Sequence, residues 1–314
     1  APGLIAREFE EETTLFWQEW VRLLNVPFDW QEAVIRAAIT LKLCAHDDTG
    51  AIVAALTTSI PEAPDTIRNW DYRFCWLRDA FFTVQALNRL GATRSMEKFI
   101  AYLTGAVIGD AGVPLRPVYP IVPDGPMTED EATALAGYLG HKPVRIGNAA
   151  VDQQQNDAWG SVILAAVQMF FDERLPRPGD AVLFHQLEPL AAAAADAALT
   201  PDAGIWEYRG RNRVHTFSAA MCWAAVDRMA RVAERLGLHD QAGELAARAE
   251  PIRDEILRRA WSERERAFVE SLDGEGLDAA LLLMPEIGII APTDERFVAT
   301  VEAIQTHLAR DGLL

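Results

Sequence analysis

Segments whose apolar residues recur every three or four positions cover most of the chain. This spacing is typical of amphipathic α-helices, whereas apolar residues on every side are typical of helices in an interior. The pattern predicts helices over residues 4–24, 30–45, 75–90, 94–108, 151–171, 180–199, 216–236, 240–260, 277–287 and 294–309. We also predict that Asp29 caps the second helix, since a short carboxylate accepts hydrogen bonds from the unpaired amides of a first turn.

Two kinds of helix alternate in the C-terminal part of the chain. The segment 216–236 is apolar nearly all round in its first half, and the segment 277–287 is almost wholly apolar. The segments 240–260 and 294–309, which follow them, are amphipathic. This inner, outer, inner, outer order predicts concentric rings of helices, and the lack of a strict sequence repeat disfavours a regular solenoid.

Two stretches between the predicted helices lack helical periodicity. Residues 51–64 are apolar but contain Thr, Ser and proline, which predicts a loop with a short strand at most. Residues 109–148 form a long connection rich in Gly and Pro, and connections of such length are uncommon unless they are functional. Few other stretches indicate strands.

The composition narrows the class of protein. The chain has 314 residues, of which 50% are hydrophobic and 24% charged, enough for one large domain or two small ones. A net charge of −17 without a basic stretch disfavours nucleic acid as a partner. No apolar run is long enough to cross a bilayer, so we predict no membrane association. Residues 1–12 show no signal peptide, although processing can remove one.

The residues that bind metals or form disulfides are scattered. The three cysteines are Cys44, Cys75 and Cys222, and the six histidines form no cluster in the sequence. Neither a disulfide framework nor a zinc spacing follows. We therefore predict a cytoplasmic protein with no metal and no cofactor.

A single carboxylate, Glu207, lies in a short aromatic stretch between two predicted helices, with Trp206 and Tyr208 beside it. Burial against aromatic rings raises the pKa of a carboxylic acid, and a carboxyl group that stays protonated near neutral pH can act as a general acid. For this stretch alone, a solvated loop glutamate is the simpler interpretation.

A second stretch, residues 68–79, combines aromatic residues with Arg and Asp at the start of a predicted helix. Arg and Asp hydrogen-bond to sugar hydroxyls, and aromatic faces cover the apolar faces of a pyranose ring. The alternative is a helix start that aromatic residues anchor in the core, with a local Arg–Asp pair. These residues alone leave both interpretations open.

A third group is rich in amides and glycine and comprises Gly137–Gly140, Pro143–Asn148 and Gln153–Asp157. Such residues make neutral, directional hydrogen bonds at the edge of a loop. The alternative is ordinary helix capping by Asn148 and Asp152, with a polar first turn.

Taken together, these stretches resemble glycoside hydrolase family 15, which includes glucoamylases and bacterial trehalases. The residues that carry the resemblance follow one another along the chain as Arg68–Arg73, Trp76–Asp79, Pro143–Asn148, Gln155–Asp157, Gly204–Glu207 and His215–Ser218. The resemblance implies an all-α fold, the (α/α)6 barrel or six-hairpin toroid. It places the active site at the end of the inner ring of helices, where the loops gather.

The resemblance also implies roles for particular residues. Glu207 is identified as the general acid. Arg78 and Asp79 are expected to bind the hydroxyls of the terminal glucose. The other residues expected to contact the sugar are Trp70, Trp76, Trp206 and Arg145.

The chain departs from the family pattern in two respects. The family usually carries a β-sandwich domain before the barrel, whereas residues 1–28 resemble the helical linker that follows that domain, and residues 29–314 the barrel itself. The family's general base is a second Glu before the last barrel helix, and the glutamates in the C-terminal part lie too early to match it: Glu270, Glu275 and Glu286. We therefore expect a barrel without its last helices and without its base.

The expected activity is hydrolysis of an α-glucosidic bond at a non-reducing end, with inversion. A maltose-like or longer α-glucan is the first choice of substrate. The disaccharide trehalose is the second, because bacterial members of the family include trehalases. The aglycone side decides between them, and the sequence of its part within residues 109–140 does not indicate a specificity. An alternative of another class is a non-catalytic helical toroid that binds glycans. Expected partners are the sugar substrate alone, with no nucleic acid and no membrane.

Overall fold

The computed structural model describes residues 2–108, 115–122 and 125–314. The chain divides into two compact units. The first unit comprises Ala1–Gly109 and Tyr119–Asn148, and the second comprises Asp110–Val118 and Ala149–Leu314. Among the helices that the structure describes, none combines the length and the apolar character needed to cross a membrane.

The first unit combines α-helices with short strands. Its helices are α1 (Pro2–Arg22), α2 (Gln31–Cys44), α3 (Leu77–Arg89) and α4 (Thr93–Tyr102), with a π-helix over Leu103–Ile108 and a 3-10 turn over Tyr138–Gly140. Its strands are β1 (Thr58–Pro61), β2 (Asn69–Asp71), β3 (Cys75–Trp76), β5 (Asp130–Glu131) and β6 (Arg145–Ile146), and β4 (Val118–Tyr119) lies where the chain re-enters this unit. The pairs β1–β2 and β5–β6 are antiparallel.

The second unit is mainly helical. Its helices are α5 (Asp157–Phe171), α6 (Ala181–Ala197), α7 (Thr216–Arg235), α8 (His239–Arg259), α9 (Met284–Ile287) and α10 (Glu295–Leu308), with 3-10 helices over Ala149–Asp152 and Ala279–Leu283. Strands β7 (Trp261–Ser262) and β8 (Ala267–Phe268) form an antiparallel hairpin between α8 and the second 3-10 helix.

Helix α7 forms the core of the second unit. Every residue from Thr216 to Val226 is buried, as the apolar pattern of the sequence predicts for an inner helix. Helix α5 packs against α7 at Gly160, where a Cβ atom would lie 2.4 Å from the carbonyl oxygen of Met221. Glycine is therefore required at position 160, because a side chain there would push the two helices apart.

The helix starts confirm some sequence predictions and correct others. Asp180 and Asp294 lie at the predicted starts of α6 and α10, and the side chain of each accepts hydrogen bonds from its helix's first turn. The prediction that Asp29 caps α2 is wrong. The cap position is Trp30, which has a left-handed backbone (φ 63°) and makes no side-chain cap.

Two predicted helices are interrupted in the structure. The segment 151–171 begins as a 3-10 turn, and α5 starts only at Asp157. The segment 277–287 is a 3-10 helix followed by the four residues of α9, where Pro285 has no amide hydrogen to continue the helical ladder.

Part of the long connection lies outside the described residues, namely residues 109–114 and 123–124. The predicted aglycone side, residues 109–140, is therefore described only in part. Its described portion contains β4 and β5 and the turn Tyr138–Gly140. Strands of two residues carry too short a pattern for the sequence to indicate them.

Candidate active site

Two of the predicted sugar-binding residues meet in the first unit. The guanidinium carbon of Arg145 lies over the ring of Trp70, 4.9 Å from its centroid. Arg145 is 8% exposed, and its Nη1 atom lies 3.6 Å from carboxylate oxygens of both Glu129 and Glu131. A guanidinium between an indole face and two carboxylates is fixed in orientation, as a group that recognises a hydroxyl must be.

The buried carboxylate of Asp71 holds this arrangement together. Its oxygens accept hydrogen bonds from the Arg73 side chain and from the backbone N–H of Gly147. The side-chain amide of Asn148 donates to the Asp71 carbonyl oxygen at 3.1 Å. Asp71 therefore ties β2, which carries Trp70, to the chain just after Arg145.

A cleft of about 390 Å³ opens beside Arg145 in the first unit. Its lining residues are Ile67, Glu131, Ala132, Thr133, Leu135, Lys142, Pro143, Val144 and Arg145. The Nε atom of Arg145 is buried and has no hydrogen-bond partner among the described residues. The cleft thus combines charged side chains, those of Glu131, Lys142 and Arg145, with an apolar wall, a combination suited to a polar ligand with an apolar face.

The remaining predicted residues of the first unit lie at the start of α3. The Nε atom of Arg78 lies 3.7 Å from the Asp79 carboxylate, and 12% of the Arg78 side chain and 42% of the Asp79 side chain are exposed. Trp76 is only 2% exposed and lies in the core of the unit. Its ring therefore packs inside the unit, next to the start of the helix that carries Arg78 and Asp79.

In the second unit, Glu207 lies in the loop between α6 and α7. Its backbone is left-handed, with φ of 56°, and its side chain is partly exposed. The side-chain amide of Gln153 donates to the Glu207 carbonyl oxygen at 3.3 Å. A left-handed backbone is costly for a residue with a Cβ atom, and such strain concentrates at functional sites.

A buried carboxylate, Asp202, fixes the start of this loop. It accepts hydrogen bonds from the backbone N–H of Asn156 and from the hydroxyl of Ser218, each at 2.8 Å. Its own backbone pairs with Arg213 across the loop. Burial raises the pKa of Asp202 to about 6, and the nearby Asp157 carboxylate adds to the effect. Asp202 thus joins the loop to the first turns of α5 and α7.

The residue after Glu207, Tyr208, contacts one aromatic ring and one cation. The Tyr208 ring stacks on His215, with centroids 5.8 Å apart, and Arg211 lies over the same ring at 4.9 Å. Burial lowers the pKa of His215 and so favours its neutral form. Gly204 lies against the His215 ring so closely that a Cβ atom would be 2.6 Å from it.

The returning limb of the loop is anchored by Glu270. The guanidinium groups of Arg211 and Arg213 both donate to its Oε1 atom, at 2.8 and 3.0 Å. Its backbone carbonyl accepts from the Thr216 N–H at the start of α7. The segment after β8 therefore supports the loop through both its side chain and its backbone.

Trp206 presents an exposed ring next to Glu207. It is 56% exposed, and its indole N–H donates to Oδ2 of Asp278 at 2.8 Å. The second unit thus places the partly exposed Glu207 side chain next to an aromatic face that a sugar ring can contact.

Sequence reasoning missed four residues that position the candidate groups within each unit. They are Asp71 in the first unit and Asp202, Glu270 and Asp278 in the second. Each of them makes hydrogen bonds to residues distant in the sequence or to backbone groups. Such contacts leave no periodic pattern in the sequence. For Asp202, a weak signal existed in the helix-breaking run Thr200–Gly204 before the aromatic stretch. Within the described ranges, no three His, Cys, Asp or Glu side chains are grouped so that they could bind a metal ion.

Comparison with known sequences points to one family. The profile of the glycosyl hydrolases family 15 matches residues 29–314. A trehalase of Mycobacterium tuberculosis is 37% identical over 307 residues, which cover 96% of this chain and 44% of that protein. A trehalase of Thermoplasma volcanium is 33% identical over 307 residues, which cover 97% of this chain and 48% of that protein. The chain therefore spans about half the length of these relatives.

Comparison with solved structures gives the fold class. A structure described as a wild-type glycosidase matches with a TM-score of 0.66 at 18% identity, over 90% of this chain and 70% of that chain. A glucoamylase from Saccharomycopsis fibuligera matches with a TM-score of 0.58 at 16% identity, over 87% of this chain and 60% of that chain. The predicted all-α fold class, the (α/α)6 barrel, is confirmed.

Proposed function

The chain belongs to the glycosyl hydrolases of family 15, and from this premise we propose that the protein hydrolyses the α-glucosidic bond of trehalose. The observation that carries the proposal is the likeness to trehalases, at 33–37% identity along 96–97% of the chain. The order of substrates expected from the sequence is therefore reversed, with trehalose first and maltose-like glucans second. The likeness to a glucoamylase structure, at 16% identity, supports the fold and not a substrate.

In the proposed mechanism, Glu207 donates a proton to the glycosidic oxygen as the bond to the anomeric carbon breaks. A water molecule attacks that carbon from the opposite face, so that the configuration is inverted. A second carboxylate must accept the proton of this water, and we expect that residue to lie outside residues 1–314. Only the attacked carbon of trehalose inverts, so each bond cleaved should first release one β-glucose and one α-glucose. Initial product that is entirely α-glucose in proton NMR would contradict this mechanism.

The other predicted residues have binding roles in the proposal. Trp206 covers one face of a glucose ring, and Arg145, held over Trp70, donates to sugar hydroxyls. Arg78 and Asp79 bind hydroxyls of the terminal glucose, and Trp76 supports them. These assignments rest on the family resemblance and on the fixed orientation of the side chains within each unit.

The most direct test compares the natural full-length protein on trehalose, maltose and isomaltose under one set of conditions. We expect the largest kcat/KM for trehalose. A protein that prefers maltose by tenfold or more would favour the glucoamylase-like activity, and one that binds these sugars without turnover would favour a glycan-binding toroid.

The role of Glu207 is tested by Glu207→Gln, which keeps the size and hydrogen-bonding capacity of the side chain but cannot donate the proton in the same way. Since general acid catalysis contributes about 10²- to 10⁴-fold, we expect kcat on trehalose to fall by that factor. Trehalose affinity, measured by calorimetry, is expected to change little. Undiminished turnover would remove Glu207 from the mechanism.

A further inference from the structure

A directional contact holds the exposed Trp206 ring. The indole N–H is a donor only, so a hydrogen bond can fix the ring only through a partner that accepts. Oδ2 of Asp278 accepts this hydrogen at 2.8 Å, although the two residues lie 72 positions apart in the sequence. A hydrogen bond to a carboxylate is among the stronger ones that a neutral donor makes.

Asp278 is in turn fixed to the core of the second unit. Its other oxygen, Oδ1, accepts from the N–H of Ala280 at 2.8 Å and so caps the 3-10 helix Ala279–Leu283. Within that helix, Leu281 is buried. The carboxylate therefore connects a buried helix start to an exposed indole edge, with one oxygen for each.

The contact leaves the faces of the indole ring available. Trp206 is 56% exposed, although leaving a large aromatic side chain in water is unfavourable. It directly precedes Glu207 in the sequence. An indole fixed at its edge can hold one orientation without help from a bound ligand. A sugar ring that stacks on it then does not have to order the side chain first.

We propose that Asp278 is a positioning residue that orients Trp206 so that the substrate's glucose ring stacks beside the Glu207 carboxyl group. This inference rests on the proposed function. It adds a residue from a segment in which the sequence indicates only an apolar helix, and it makes the 3-10 helix Ala279–Leu283 part of the support of the site.

Three variants separate the two tasks of Asp278. Asp278→Ser keeps a good helix cap, because the serine hydroxyl accepts from a first-turn amide, but it is too short to bind the indole. Asp278→Ala removes both contacts. Trp206→Phe keeps an aromatic face but has no N–H. If positioning is the function, Asp278→Ser and Asp278→Ala both raise KM for trehalose about 3- to 10-fold with little change in kcat.

Asp294→Ser is the matched control. Asp294 caps α10 through the N–H of Arg296 at 2.9 Å, so the same substitution is made at the same kind of cap without an indole contact. We expect KM to be unchanged in this variant. If KM rises equally in Asp294→Ser, the rise in Asp278→Ser comes from the loss of a carboxylate cap in general. That result would overturn the inference.

The double variant Trp206→Phe with Asp278→Ser tests whether the two residues act together. If Asp278 acts through Trp206, the second substitution adds nothing to the KM of Trp206→Phe. Additive effects, or a KM in Asp278→Ser equal to that of the wild type, would overturn the inference. Both outcomes require an active wild-type protein, whereas a wild type inactive on trehalose, maltose and isomaltose would overturn the proposed function itself.

A second readout does not depend on turnover. The protein is labelled with 5-fluorotryptophan, and the 19F resonance of Trp206 is assigned by its loss in Trp206→Phe. We expect Asp278→Ser to shift and broaden this resonance and Asp294→Ser to leave it in place. An unshifted resonance in Asp278→Ser would show that the carboxylate does not hold the indole.

Discussion

Asp202 is a carboxyl group without solvent contact, at the start of the loop that carries Glu207. Because burial disfavours its ionised form, the folded protein binds this proton more tightly than the unfolded chain does, with a pKa of about 6 in place of the ordinary 3.8. The resulting stabilisation is complete below about pH 4 and is lost as the pH rises through about 6.

We therefore predict that Asp202→Asn, which is neutral at every pH, loses this dependence. Between pH 4 and pH 7 the free energy of unfolding of the wild type should fall by about 2 kcal/mol relative to the variant. Urea unfolding of both proteins across this range measures the difference. Curves that stay parallel would show that Asp202 keeps an ordinary pKa in the fold.

Gly204 and Gly210 allow a matched test of the loop. Both have a left-handed backbone, with φ of 71° and 77°, but only at Gly204 would a Cβ atom touch another residue, the His215 ring at 2.6 Å. Alanine at either position costs about 1–2 kcal/mol for the backbone. Only Gly204→Ala also displaces the ring on which Tyr208 stacks, and with it the neighbouring Glu207.

We predict that Gly204→Ala lowers kcat on trehalose by up to about 100-fold, whereas Gly210→Ala keeps it within about twofold, because small displacements of a reacting group have large effects on rate. Steady-state kinetics of the two variants, with circular dichroism to confirm folding, provides the comparison. Equal losses would mean that backbone strain alone determines the outcome.

At the scale of elements, the contact between α5 and α7 depends on Gly160. A Cβ atom there would lie 2.4 Å from the Met221 carbonyl oxygen and 2.8 Å from its Cβ atom. Gly160→Ala should therefore destabilise the protein by about 1–3 kcal/mol, the usual cost of overpacking.

Gly243, in α8, is the control for this prediction. A Cβ atom at Gly243 meets nothing within 4 Å, so the same substitution should stabilise the protein by about 0.5–1 kcal/mol through better helix propensity. Thermal unfolding should give Tm shifts of opposite sign. Two shifts of the same sign would contradict the packing that the structure shows between α5 and α7.

The long helices could be predicted from the sequence because their signal is local and repeated. The segment 216–236 differs from α7 (Thr216–Arg235) by one residue, since an apolar pattern over six turns leaves little choice of bounds. The prediction of one continuous helix over residues 277–287 is wrong, because apolar residues alone do not distinguish an α-helix from a 3-10 helix. The Asp278 cap and Pro285 determine where the 3-10 helix begins and where α9 begins.

The candidate site could be predicted only for residues within a motif. Glu207 and Trp206 follow from the aromatic stretch and the family resemblance. Their support could not be predicted, because the partner of Trp206 is 72 residues away and Asp202 binds the backbone of Asn156, 46 residues away. Contacts across such separations depend on the fold as a whole.

At the scale of the whole molecule, the chain covers 44–48% of the two trehalases with which it was compared. The prediction that the general base lies outside residues 1–314 concerns a polypeptide of the length of these relatives. We expect a polypeptide of residues 1–314 to hydrolyse trehalose at least about 10²-fold more slowly than the natural full-length protein, the usual contribution of one general base. Equal kcat values for the two purified proteins would place the base within this chain.

The left-handed backbone at Glu207 has a consequence for the energetics of the fold. The strain of that conformation is present with or without a bound sugar. Glycine at this position would relieve the strain, but it has no side chain that could act as an acid. In the proposed mechanism, glycine would therefore favour stability at this position, whereas glutamate favours turnover. A stabilised version of the protein obtained by relaxing this loop would be a poorer catalyst for the same physical reason.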